Sequence, residues 1–296
     1  MKNLADQIKR VGIIGNSGKV ACGDLLRKAA SLVGSAGRQV YCDAPTAGLA
    51  ELKATVVKDA AQLAKQVDLL LVFGGDGTML RVAREIAGGR TPVLGINTGS
   101  LGFLTAVRAS QLAKALKQVF SGEFTFESRS LLHARGVCCG RNVDQSALND
   151  VVVSRGVAMR LIELDVRVDG ELLTRYRCDG LILSSPTGST AYSLAAGGAV
   201  IFPTADVIAL TPICPHTLSN RALILPSSAN VEVEVVSPKP ETMMSVDGQV
   251  VSELMAGDKI SVFRSRRTVR LMHLAGSSFC DTLRRKLHWR GTTLVP

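Results

Sequence analysis

Up to residue 123 the apolar positions fall in short unbroken runs, each followed by a stretch with helical spacing. Val11-Gly12-Ile13-Ile14-Gly15, Gln39-Val40-Tyr41-Cys42, Leu69-Leu70-Leu71-Val72-Phe73 and Pro92-Val93-Leu94-Gly95-Ile96-Asn97 are such runs. Apolar runs without polar alternation suit strands covered on both faces, as in a parallel sheet. Residues 20–35, 59–66, 79–87 and 110–120 carry the helical pattern. The alternation predicts a doubly wound α/β domain over 1–123. From residue 124 the period shortens to two. Leu161-Ile162-Glu163-Leu164-Asp165-Val166-Arg167-Val168 alternates, and Asp169-Gly170 then supplies a two-residue hairpin turn. Short strands are expected at 181–184, 207–210, 222–225, 231–236, 260–263 and 269–274, with one helix inserted near 190–195. This half, 124–275, reads as an all-β, antiparallel sandwich-like domain. Residues 276–296 are expected as a helical or irregular segment that returns to the first domain.

With 296 residues, 46% of them hydrophobic, the chain can bury two cores. Aromatic residues make up only 4%, so Val, Leu, Ile and Ala must fill those cores. No apolar run approaches the ~20 residues that span a bilayer. The opening Met-Lys-Asn-Leu-Ala-Asp-Gln-Ile-Lys-Arg lacks the apolar core of a secretory signal. Seven cysteines, an odd number with no Cys-x-x-Cys, read as reduced thiols in a cytoplasm.

The net charge of +10 is concentrated late in the chain, where Arg264, Arg266, Arg267, Arg270, Arg284, Arg285, Lys286 and Arg290 face one acid, Asp281. Such a surface can attract nucleic acid, an acidic partner or a polyanionic small molecule. Rings to stack bases are almost absent nearby, so a field that draws nucleotide phosphates is the more economical reading.

The chemistry starts where an apolar run breaks into Gly74-Gly75-Asp76-Gly77-Thr78. A strand, a glycine turn and a helix start direct free N–H groups at one spot, which suits a phosphate. Asp76 puts a carboxylate there, which repels phosphate unless a metal bridges them or it takes a proton from an attacking hydroxyl. The combination points to phosphoryl transfer. Gly15-Asn16-Ser17-Gly18-Lys19 resembles part of a P-loop, but its spacing is short. No Gly-x-Gly-x-x-Gly follows the first strand. In the β half, polar clusters interrupt the strands at Asn149-Asp150, Arg177-Cys178-Asp179-Gly180 and Ser245-Val246-Asp247-Gly248-Gln249. Asn can pair with an adenine edge and Asp with ribose hydroxyls. Singly, each is better explained as a turn or cap, and the Ser/Thr run at 187–190 as a helix N-cap with Tyr192 in the core.

Together, Gly74-Gly75-Asp76-Gly77-Thr78, Leu101-Gly102-Phe103-Leu104, Asn149-Asp150, Asp179-Gly180-Leu181-Ile182, Pro186-Thr187-Gly188-Ser189-Thr190-Ala191-Tyr192-Ser193, Ala196-Gly197-Gly198 and His216-Thr217-Leu218 resemble bacterial NAD kinases in order and spacing. The resemblance implies ATP-dependent phosphorylation of the adenosine ribose 2′-hydroxyl of NAD, at a site between two domains, with Mg²⁺ as the expected divalent ion. Asp76 matches the catalytic aspartate, and Gly74, Gly75, Gly77 and Thr78 the loop at the triphosphate. Asp76 and Gly77 also stand among the dinucleotide contacts, and Arg81 is placed to reach a phosphate. Asn149 and Asp150 match the pair that holds adenine and ribose, and Asp179 a carboxylate at the carboxamide end. Thr187, Thr190, Ala191, Tyr192, Ser193, Leu194 and Ala195 match the loop around adenine and nicotinamide. Arg160, Arg177 and Gln249 align with further NAD contacts. Asp150 stands where many members have Glu, and Cys214 where alanine is frequent. The resemblance also implies a homo-oligomer and no membrane or nucleic-acid partner. A lipid kinase of the same superfamily, or a non-catalytic nucleotide- or nucleic-acid-binding protein, stays open as an alternative. The motifs do not choose between NAD and NADH or between ATP and polyphosphate.

Overall fold

The computed structural model describes residues 4–16, 22–100, 102–105, 107–157, 160–217, 219–237 and 242–289. The chain forms two compact units, one of Met1–Ser128 with Val269–Pro296, the other of Arg129–Thr268.

In the first unit Leu69–Gly74 lies between Arg10–Gly15 and Val93–Asn97, all parallel, with Gln39–Asp43 and Thr55–Val57 continuing beyond Arg10–Gly15. Leu69 to Phe73 are wholly buried, as an unbroken apolar run on a doubly covered strand requires. The register sets Gly15 beside Phe73 and Gly74 beside Asn97. The carboxyl ends of three central strands therefore line up, the edge where α/β sheets bind ligands. Ser17, Gly18 and Lys19 of the P-loop look-alike lie outside the described residues.

Helix starts follow from short polar side chains. The Asp59 carboxylate accepts the Gln62 N–H and starts Ala60–Gln66. The Asp43 carboxylate accepts the Thr46 N–H at 3.1 Å and starts Ala44–Ala50. That second helix is absent from the pattern reading because it is short and contains Gly48, although Asp43 and Pro45 are legible start signals. The Asp76–Glu85 helix begins three residues before the expected Met79, directly behind Gly75.

The second unit holds two antiparallel sheets. One runs Leu223–Pro226, Val207–Ile213, Gly180–Ser184, Asp150–Arg155, Thr242–Val246, Gln249–Leu254. The other joins Glu171–Cys178, Ile162–Val168 and Val231–Val235 to Lys259–Leu274, against which Phe124–Cys138 also pairs, with Arg141–Ala147 pairing in turn on Phe124–Cys138. Val151, Val153, Leu181 and Met244 of one sheet share a core with Leu164, Val166, Val233 and Val262 of the other, which gives the sandwich-like layering. Asp169 and Gly170 both take positive φ, as the hairpin reading requires.

The strands depart from the pattern in two places. The hairpin of Phe124–Cys138 and Arg141–Ala147 has no Asn-Gly or Asp-Gly turn; Cys139 and Gly140 take the left-handed angles instead. The runs 260–263 and 269–274 belong to one strand, Lys259–Leu274, which continues through the arginine-rich stretch between them. Its last residues belong to the first unit, so that junction falls at Thr268–Val269 and not at 275/276. The helix Phe279–Lys286 is also part of the first unit. No helix among the described residues is long and apolar enough to cross a membrane.

Leu71 is wholly buried within the sheet and its flanking helices. Leu71→Ala is expected to cost roughly 2–5 kcal/mol, the range for emptying a core leucine site. Urea unfolding of the two proteins measures this, and a loss under about 0.5 kcal/mol would show that the site is not a rigid core.

Candidate active site

Asp76 is the first residue of its helix, where a negative charge meets the positive end of the dipole. Its Oδ2 accepts the Phe103 N–H at 2.8 Å, and its Oδ1 the Leu104 N–H at 3.1 Å. Oδ1 also accepts the Thr105 hydroxyl at 3.3 Å, while Asn97 Nδ2 donates to that hydroxyl oxygen at 2.7 Å. Because Thr105 receives a hydrogen from Asn97, its own proton is free to point at Asp76. Asn97 and Thr105 are buried, and Asp76 is partly exposed. The carboxylate is thus oriented from behind and open in front.

The glycines act through space. A Cβ on Gly102 would stand 1.8 Å from Asp76 Oδ1, and one on Gly74 2.3 Å from Thr78 Oγ1. A Cβ on Gly75 or Gly77 would meet nothing within 4 Å. None of Gly74, Gly75, Gly77 and Gly102 has a left-handed backbone, so the service of Gly74 and Gly102 is close approach and not a special angle. Open ground over Gly75 and Gly77 lies directly at the helix N-terminus. Arg81 turns along the helix to Glu85, 2.9 Å away. The Lys286 ammonium lies 5.8 Å from the Phe103 ring centroid, on the loop that holds Asp76.

The second unit presents a different constellation. Leu148, Asn149 and Asp150 all donate backbone N–H groups to the Asp247 carboxylate, at 3.1, 2.7 and 3.3 Å. From the other side Ser185 Oγ donates to the Leu148 carbonyl and Ser185 N–H to that of Asn149. Asp150 is only 3% exposed. Burial, and secondarily the nearby Asp247, push its carboxyl up to about 7. Near neutrality it can therefore donate or accept a hydrogen bond.

Asp179 accepts Arg155 Nε at 2.8 Å, with both side chains partly exposed. In the 186–195 loop, Ser189 Oγ donates to the Pro186 carbonyl and accepts the Ile201 N–H, Thr190 Oγ1 donates to the Thr187 carbonyl, and Ser193 bonds Thr211 at 2.9 Å. The hydroxyls that suggested a ligand-binding run mainly build the loop. Thr187 Oγ1 accepts Arg129 Nη1 at 3.3 Å, both residues being buried. Tyr192 is 46% exposed and so does not belong to the core.

Residues 11–124 match the ATP-NAD kinase N-terminal domain, and residues 148–274 the ATP-NAD kinase C-terminal domain. An NAD kinase of Polaromonas naphthalenivorans is 41% identical over 287 residues, covering 97% of this chain and 98% of that protein. The chain belongs to the NAD kinase family. An NAD kinase of Aromatoleum aromaticum is 37% identical over 295 residues, covering 99% of this chain and 98% of that one. Among solved structures, yeast NADH kinase complexed with NADH has a TM-score of 0.86 at 27% identity, covering 98% of this chain and 90% of that chain. An NAD kinase from Archaeoglobus fulgidus in complex with ATP shares the fold, with a TM-score of 0.72 at 22% identity over 95% of this chain and 100% of that one.

Within this NAD kinase chain the structure gathers Asp76 with Thr78 and the glycine loop in one unit, and Asn149, Asp150 and Thr187 in the other. Arg160, Arg177, Ala195 and Gln249 are exposed, and Thr190, Ala191 and Leu194 partly so; Ser193 is buried beneath them. Leu101 and Leu218 lie outside the described residues. Sequence reasoning missed Thr105, Arg129 and Arg155 as supports, and left Asp247 as part of a cluster without a task. Asp247-Gly248 as a hairpin dipeptide was the legible signal. The basic segment is partly spent internally: Arg264 pairs with Asp206, Arg284 with Asp281, and Arg270 lies 4.5 Å from the Phe126 centroid.

The Asp150 carboxyl is held above the ~3.9 of an unfolded aspartate. The folded state therefore binds more protons, and stability falls as pH rises. The contribution is complete below about pH 4 and is lost by about pH 7. Wild-type protein is expected to lose stability relative to Asp150→Asn over that window, measured by urea unfolding at intervals of pH. A pH-independent difference would contradict the assigned titration.

Proposed function

We propose that this chain transfers the γ-phosphoryl group of ATP to the 2′-hydroxyl of the adenosine ribose of NAD, making NADP. Asp76 carries the reading: it is a carboxylate fixed by two backbone N–H groups and a hydroxyl, with its front open beside a glycine loop and a helix N-terminus. Membership of the NAD kinase family supports it throughout.

Asp76 accepts the proton of the attacking 2′-hydroxyl. Phosphoryl transfer runs through a loose transition state, so alignment and neutralisation of charge matter more than basicity. The bonds from Phe103 and Leu104 hold the acceptor oxygens in place before the substrate arrives. The backbone at Gly75 and Gly77 admits the triphosphate, and the helix N-terminus favours its charge. Mg²⁺ is commonly held by phosphates with one or two carboxylates. Among the described residues no three His, Cys, Asp or Glu side chains gather, and Asp76 is the acid at the loop, a donor set that fits an ion carried by the triphosphate. When bound, such an ion neutralises developing charge on the phosphates. Asn149 and Asp150 hold the adenosine, Asp179 with Arg155 behind it meets the carboxamide end, and Tyr192 and Gln249 add contacts. A cytoplasmic homo-oligomer is the setting this reading implies, and the odd number of cysteines suits a reducing compartment.

Purified protein with ATP, Mg²⁺ and NAD is expected to form NADP. A shift of the melting temperature by a short RNA or a lipid, with no NADP formed, would favour the other readings. Asp76→Asn should lower kcat by roughly 10²–10⁴-fold, the usual worth of a general base, while NAD affinity stays within a few-fold. Unchanged turnover would remove Asp76 from this role. Gly102→Ala pushes on the Asp76 carboxylate and should cost about 10²-fold in kcat in a folded protein. Wild-type turnover in that variant would show that the orientation of Asp76 is unimportant.

A further inference from the structure

The hairpin between Thr242–Val246 and Gln249–Leu254 turns on Asp247 and Gly248, with φ of +47° and +76°. Two successive positive angles mark a type I′ turn. Glycine takes such an angle freely, whereas a non-glycine residue needs compensation. The Asp247 side chain finds it across the sheet, in the turn that enters the Asp150–Arg155 strand.

There three consecutive amides, of Leu148, Asn149 and Asp150, converge on its two oxygens. Successive N–H groups directed at one anion form a compact, strongly oriented arrangement. The Asp247 N–H returns a bond to the Asp150 carbonyl at 3.0 Å. Ser185 takes the two remaining carbonyls, with 2.5 Å to Leu148 and 2.8 Å to Asn149. Gly188 lies so close that a Cβ there would come within 2.1 Å of the Asn149 oxygen. Every backbone donor and acceptor of Leu148, Asn149 and Asp150 is thus engaged. What the turn has left to offer a ligand is the Asn149 amide and the Asp150 carboxyl.

We propose that Asp247 is the positioning residue of the nucleoside-binding turn: its carboxylate fixes the backbone of Leu148, Asn149 and Asp150, and its hairpin ties Gln249 to the same rigid piece. The inference rests on the reading of Asn149, Asp150 and Gln249 as NAD contacts. The second unit contains its own control. Asp169-Gly170 is also an Asp-Gly hairpin with φ of +52° and +89°. Its carboxylate accepts one amide, that of Asn230 at 2.8 Å, in an exposed position at the opposite end of its hairpin from Arg177, which pairs with Glu163.

The test compares full-length wild type, Asp247→Ala, Asp247→Asn and Asp169→Ala. Steady-state kinetics and amide hydrogen exchange of the ligand-free proteins are the readouts. Asp247→Ala should raise KM for NAD at least tenfold, leave KM for ATP within twofold, and speed exchange at residues 148–150 at least tenfold. Asp247→Asn, which keeps an acceptor oxygen, should fall between it and wild type, and it carries the test if the alanine variant does not fold. Asp169→Ala should lower thermal stability but leave both KM values within twofold. Folded Asp247 variants with unchanged exchange and unchanged KM for NAD would overturn the proposal. Parallel rises in both KM values, matched by Asp169→Ala, would reduce Asp247 to a structural residue and overturn it equally. If wild-type protein formed no NADP, the proposed activity would fail instead, and the exchange data would still report whether Asp247 holds the turn.

Discussion

A carboxylate held by main-chain N–H groups at the start of a helix is the constraint on which the account depends. Asp76 needs to be charged, fixed and approachable together, and these demands compete: contacts that fix an acid tend also to cover it. The chain resolves this by bonding from one side only. Phe103 and Leu104 supply backbone donors, and Asn97 directs the Thr105 hydroxyl, while Gly102 passes where no side chain could. The parallel sheet behind makes this possible, because its register brings the end of Leu69–Gly74 level with Asn97. Buried leucines and valines thus place a carboxylate oxygen through strand register.

The same physical device recurs elsewhere in the chain. Asp43 and Asp59 start helices by accepting amides, Asp68 accepts those of Lys9 and Arg10, and Asp247 accepts three at once. Charge-assisted bonds to the main chain are short and directional, and they fix backbone that no regular ladder would hold. With few aromatic residues, the protein relies on aliphatic layers for stability and on aspartates for the placing of loops. Asp150 is the contrasting case, since burial beside Asp247 works against its charge.

How much could be read in the sequence follows from the range of each interaction. The apolar runs at 11–15, 69–73 and 93–96 reveal themselves because a strand covered on both faces disfavours polar residues along its length. Asp169-Gly170 is legible because few dipeptides tolerate two left-handed angles. The helix Ala44–Ala50 is hidden by its length and its glycine, and the hairpin at Cys139-Gly140 by a residue not usual there. Within the candidate site, Asp76 and Asn149-Asp150 stand out by composition. Their supports do not, because Thr105, Arg155 and Asp247 act over separations of 24 to 99 residues that no local pattern reports. The role of the Ser/Thr run is likewise not a local pattern: hydroxyls that could face a ligand are bonded within their own loop.

A crystal structure with NAD and a non-hydrolysable ATP analogue tests the central claim most directly. The account predicts the adenosine 2′-oxygen within hydrogen-bonding reach of an Asp76 oxygen, about 2.6–3.2 Å, with the Phe103 and Leu104 bonds intact. A 2′-oxygen well beyond that reach, with another side chain or none beside it, would contradict it.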